Sequence, residues 1–211
     1  MPKEPFEHLT KRQKQSIIRA CTELMAQNGY ANTSMKMITK RLKVADGYLY
    51  YYFNGKEDLT KWVLEEGIRT WQDHFEEHVT KHSPDTLFEL FKLSVFQMAR
   101  FIHEHKNLFG GYSQLVNEPN FPLQEWMFGR AKWIDDVYSG AIAREIESGR
   151  IRSDVPLDLI TMLLDVVNTR IQEYLYNPAI DPIGVSRMDD QALDRLLEQL
   201  VSILENGIKP V

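Results

Sequence analysis

The chain has 211 residues, of which 43% are hydrophobic and 26% charged. That is enough to bury a sizeable core and too apolar for disorder. The net charge of -5 is unevenly placed: residues 1–58 hold ten Lys/Arg against six Asp/Glu, so the remainder is acidic. A basic head on an acidic body is the asymmetry expected when one end meets phosphate. No apolar run is long enough to cross a bilayer. The first residues carry charge without an apolar core, unlike a signal peptide. The single cysteine, Cys21, has no partner for an internal disulfide, so a cytoplasmic location is expected.

Apolar spacing is helical almost throughout. Ile17, Ile18, Cys21, Leu24 and Met25 form one buried stripe, and Gly29 ends that helix in a left-handed turn. Thr33 or Ser34 caps a short second helix with Met35, Ile38 and Leu42 on one side. The run Tyr48 to Phe53 reads locally as a strand after a turn. With no partner strand nearby, its backbone would be unsatisfied, so a third short helix is expected.

A long helix spans 56–82, and Ser83-Pro84 signals the start of the next. Gly110-Gly111 and the segment Pro119 to Pro122 each break the chain. One helix is expected over 123–148, ended by Gly149; another opens after Pro156 and ends at Asn177-Pro178. A last helix carries Leu193, Leu196, Leu197, Leu200, Ile203 and Leu204. The expectation is an all-α protein of about nine helices, with a three-helix head (1–58) and a larger helical body (59–211).

Residues 17–59 resemble the DNA-binding domain of the TetR family of transcriptional regulators. The resemblance rests on Asn28-Gly29-Tyr30, Thr33-Ser34, Gly47-x-Leu49-Tyr50-x-Tyr52-Phe53 and Lys56-Glu57-Asp58-Leu59, in order and spacing. A weaker likeness covers Glu147 to Asp154, at the family's connection between its seventh and eighth helices. Two positions depart from the pattern. Lys43 stands where the turn usually carries Gly, which predicts a left-handed non-glycine residue. Ala45 stands where a hydroxyl usually caps the third helix, leaving Asp46 as the alternative cap.

The resemblance implies a homodimer that binds palindromic operator DNA and is released by a small molecule, most simply as a repressor. In a helix-turn-helix the second helix of the pair enters the major groove. Asp46, Gly47, Tyr48 and Tyr51 are then the outward positions, with Leu49 and Phe53 facing the core. By the same resemblance Lys36 reaches a base or phosphate, and Thr33, Tyr50, Tyr52 and Lys56 contact phosphates. Tyr50 also fits a bridge between core and surface.

For the body, the resemblance implies an effector held between helices and dimerisation through the last two. Candidate effector contacts are Trp71, Met98, Phe101, Tyr112, Trp126, Trp133 and Tyr138, with Gln97, His103, Asn168 and Tyr174 as polar groups. An apolar or aromatic effector is expected, because the sequence shows no ionic cluster that would match a multiply charged one. His74, His78 and His82 stand at i, i+4, i+8, a spacing that suits either zinc or a solvated face; the latter is expected, with no metal or cofactor. No phosphate loop or nucleophile motif points to an enzyme. The rival reading is a helical small-molecule-binding protein or enzyme that does not bind DNA.

Overall fold

The computed structural model describes Phe6 and residues 8–208, and among these there is no strand. Ten α-helices follow in order: α1 (Lys11–Asn32), α2 (Met35–Leu42), α3 (Tyr48–Tyr52), α4 (Lys56–His82), α5 (Leu87–Glu104), α6 (Lys106–Val116), α7 (Gln124–Ala131), α8 (Trp133–Glu147), α9 (Leu157–Tyr176) and α10 (Asp190–Ile208). None is long and apolar enough to cross a membrane. Packing gathers the chain into two compact units, residues 1–71 with 105–130, and 72–104 with 131–211. These units cut across the 58/59 division expected from sequence, because α6 and α7 pack with the head.

The first unit closes around α1. Thr10 and Gln13 form a reciprocal cap at its start, and Gly29 interrupts it at φ 75°, ψ 170°, a conformation nearly reserved for glycine. Ser34 caps α2 through the Met37 N–H. Lys43 ends α2 at φ 58°, ψ 42°, the left-handed geometry expected there without a glycine. The stretch after Gly47 is helical, and Leu49 and Phe53 are fully buried. Phe6, Phe53 and Trp62 meet edge to face in this core. Leu115, Phe121, Leu123 and Met127 complete it. The Cys21 thiol is sealed inside, and burial pushes its pKa well above the usual thiol range.

Gly110-Gly111 does not break the chain; it lies inside α6. The reason is closeness to α1: a Cβ on Gly111 would stand 3.2 Å from the Thr22 Cα, Cβ and carbonyl oxygen. Backbone within a helix cannot yield as a flexible side chain would. Gly111→Ala therefore gains about 1 kcal/mol of helix propensity but meets an overpacking cost of about 1–3 kcal/mol. The expected net is a lower Tm in thermal unfolding. Gly140→Ala in α8 is the control: its added methyl meets only Arg144 Nη1 at 3.6 Å, so propensity alone should raise the Tm.

The second unit packs α5 with α9, α8 with α9, and α10 with α5. Ser83 adopts φ 46° after α4, and the start of α5 is capped by Thr86, whose hydroxyl accepts from the Glu89 N–H. The Glu89 carboxylate accepts in return from the Asp85 and Thr86 N–H groups. The cap thus lies three residues beyond the expected Ser83-Pro84 start. The helix expected over 123–148 is two, parted at Lys132. Gly149 (φ 73°), Pro156 and Asn177 bound α8 and α9 as expected. After α8, the buried Glu145 carboxylate takes two hydrogen bonds from Arg150, at 2.9 and 3.0 Å, closing the segment that carries the weaker resemblance.

Candidate nucleic-acid interface and effector site

The head presents α3 with its preceding turn. Asp46, Gly47, Tyr50 and Tyr51 are exposed, Tyr51 at 62% the most open of the tyrosines on α3. A Cβ at Gly47 would meet nothing within 4 Å, so this backbone lies open to approach. Tyr48 is half-buried and packs edge-on against Tyr52, with ring centroids 5.2 Å apart. Burial, then the hydrogen bond to Tyr52, holds the Tyr48 phenol pKa above its usual value, so it stays a neutral donor. Tyr52 also touches Phe6 and Tyr51. The aromatic cluster supports the outward residues of a helix only five residues long.

Asp46 does not cap α3. Its carboxylate lies 3.8 Å from Lys36 Nζ, and Gly47 occupies the cap position without a side-chain bond. Both partners are largely exposed, so the pair contributes little to stability and is free to exchange for a phosphate or base. Thr33 corrects the sequence reading more firmly. It is 1% exposed, and its hydroxyl donates to the Gly29 carbonyl at 2.7 Å. It fastens the turn instead of facing outward, while Ser34 does the capping. Lys56 is half-buried; its Nζ donates to the Tyr30 carbonyl at 2.8 Å and lies 4.0 Å from the centre of the Tyr30 ring.

The proposed effector contacts do not form one set. Tyr112 and Trp126 pack against the core of the first unit, and Trp71 falls in the same unit. His103 is exposed on α5 and lines no interior. The others lie in the second unit. Phe101 meets the His74 ring edge-on and Trp133 meets Phe75. The Tyr138 hydroxyl is hydrogen-bonded to Ser94, and burial pushes its pKa well above the usual range. Met98 and Tyr174 are half-buried. Gln97 Oε1 and Asn168 Oδ1 are buried with no hydrogen-bond partner. Such acceptors cost roughly 1–3 kcal/mol each when left unmet, so each demands a donor.

A cleft of about 380 Å³ runs between the end of α4, α5 and α10, lined by Lys81, Lys92, Arg100, His78, His82 and Gln97 among others. This is the ionic cluster that the sequence concealed. Lys92 also binds Asp194 and Glu198, and Arg100 binds Asp190, so both cations are part-neutralised. In the histidine ladder, His78 Nδ1 and His82 Nδ1 lie 2.7 and 2.8 Å from the carbonyl oxygen four residues earlier. Among the described residues no three His, Cys, Asp or Glu gather to hold a metal.

Residues 17–61 match the sequence model of the bacterial regulatory proteins of the tetR family. Over 199 residues the chain is 26% identical to the fatty acid metabolism regulator protein of Bacillus subtilis, covering 90% of this chain and 94% of that one. In structure it is similar to a TetR family transcriptional regulator from Chloroflexus aurantiacus, at a TM-score of 0.76 and 22% identity over the whole of both chains. It is also similar to the transcriptional regulator FadR from Bacillus subtilis, solved in complex with stearoyl-CoA. There the TM-score is 0.73 at 22% identity, covering 92% of this chain and 99% of that one.

Proposed function

This chain belongs to the TetR family and is a ligand-responsive, DNA-binding transcriptional regulator, not an enzyme; from that premise we propose that it is a homodimeric repressor. In this reading it acts in the cytoplasm and leaves a palindromic operator when a largely apolar effector binds its body. The effector class proposed is a fatty acyl thioester of coenzyme A. The observation carrying that choice is likeness along almost the full chain to a fatty acid metabolism regulator, not to the DNA-binding head alone.

At the DNA, Asp46, Gly47, Tyr48 and Tyr51 read base edges, and Lys36, Tyr50, Tyr52 and Lys56 hold phosphates. In the body, Gln97 and Asn168 orient the ligand by accepting from its donors. Met98, Phe101, Trp133, Tyr138 and Tyr174 supply apolar wall, and the α4/α5/α10 cleft offers cations for an anionic head group.

Dimerisation through α9 and α10 accounts for the largest apolar exposure on the second unit. Leu159, Met162, Leu163 and Val166 stand at i, i+3, i+4, i+7 on α9 and are 39–57% exposed; Ile203 on α10 is 70% exposed. A contiguous stripe of this kind is covered by a second copy in a two-fold dimer.

The test is an electrophoretic shift assay on a duplex that the protein itself enriches from a random-sequence pool, titrated with stearoyl-CoA and, separately, with free coenzyme A. Release by stearoyl-CoA alone is the expected result. Failure to enrich any duplex would defeat the DNA-binding reading. Retention of the duplex at saturating stearoyl-CoA would defeat only the effector assignment.

A further inference from the structure

The loop between α6 and α7 reaches back to the turn at Gly29. Glu118, in that loop, accepts from two backbone donors with its two carboxylate oxygens: Oε2 from the Tyr30 N–H, and Oε1 from the Ala31 N–H at 2.8 Å. Phe121 meets the Tyr30 ring edge-on at 5.1 Å. The Ala31 N–H and the Tyr30 carbonyl belong to a single peptide group. That carbonyl is the acceptor for Lys56 Nζ. A carboxylate, one peptide and an ammonium therefore lie in series, with the peptide dipole aligned between opposite charges. Hydrogen bonds linked in this way polarise and strengthen one another.

We infer that Glu118 is a positioning residue for DNA binding: it fixes the Tyr30–Ala31 peptide, and through that peptide it aims the Lys56 ammonium. An ammonium has three N–H donors. The Tyr30 carbonyl takes one, and the Tyr30 ring faces the charge from 4.0 Å. A donor remains for a phosphate, in a direction set by the other two contacts. Gly29 is part of the device: at φ 75° its added Cβ would lie 3.1 Å from Glu118 Oε2, so a side chain there would crowd the carboxylate. The residue comes from a loop sixty positions beyond Lys56, outside the helix-turn-helix segment itself.

The inference rests on the reading of Lys56 as a phosphate contact, and the test separates the two. Glu118→Gln keeps the shape but removes the charge and turns one acceptor into a donor. Affinity for the enriched duplex is measured across a salt series for wild type, E118Q, K56A and the double variant, with circular dichroism melts confirming that each is folded. K56A alone should weaken binding and reduce the salt slope by about one unit. E118Q should weaken binding roughly three- to tenfold in the wild-type background and less than about twofold in the K56A background. Equal losses in both backgrounds would mean that Glu118 supports the fold without aiming Lys56, and the inference fails. No loss for E118Q also overturns it. If K56A itself leaves affinity and slope unchanged, the phosphate assignment falls first.

Discussion

Val166→Asp should leave a folded monomer that has lost operator binding. Val166 is 57% exposed in the chain, so aspartate there costs little within one copy. A two-fold interface presents the same patch twice, so each dimer would carry two carboxylates into a surface shared with Leu159, Met162 and Leu163. Burying an unpaired carboxylate costs several kcal/mol, and two of them exceed what a modest interface supplies. DNA binding falls with it, because joining two heads makes the second half-site contact intramolecular; that linkage is worth about 10²–10⁴ in apparent affinity. Sedimentation should show the shift to monomer, and the same preparation should fail in the shift assay. A variant that stays dimeric at micromolar concentration would place the interface elsewhere.

Tyr51→Ala should remove sequence discrimination while sparing stability. At 62% exposure the ring contributes little to the core, its neighbour being the half-buried Tyr52 at 5.1 Å. A well-placed contact to a base is worth about 1–3 kcal/mol. A symmetric dimer makes it twice, so the specific complex should weaken by roughly two orders of magnitude at the middle of that range. Binding to mixed-sequence DNA, dominated by phosphates, should change far less. Repeating the random-pool enrichment with the variant should return a different or flatter consensus. An unchanged consensus and affinity would remove Tyr51 from the recognition surface.

The local signals in the sequence were legible where a single residue enforces a backbone state. Gly29, Ser34, Gly149, Pro156 and Asn177 bound helices as their chemistry requires, and Lys43 takes the left-handed turn despite its Cβ. The order of small helices in the head followed from apolar spacing and one family pattern. What escaped notice depended on distant packing. Gly110-Gly111 reads as a breaker by itself and is a helix interior because Thr22 passes so close. Lys132 keeps right-handed helical angles, φ -58° and ψ -22°, so the division of α7 from α8 leaves no periodic trace. Thr33 and Ser34 are equally good caps on paper; only the Gly29 carbonyl decides which hydroxyl turns inward. The cations of the α4/α5/α10 cleft sit up to nineteen positions apart and look like ordinary helix surface until the helices are assembled.

The core of the head closes only when Leu115, Phe121, Leu123 and Met127 arrive, more than fifty residues after the end of α3. During translation, a nascent chain at residue 60 has made every base-reading residue but lacks the apolar groups that complete their support. At synthesis rates of about 5–20 residues per second, that interval lasts some seconds. Premature termination before α7 would therefore yield a head with an open flank, prone to degradation and unable to occupy the operator in place of the full-length regulator.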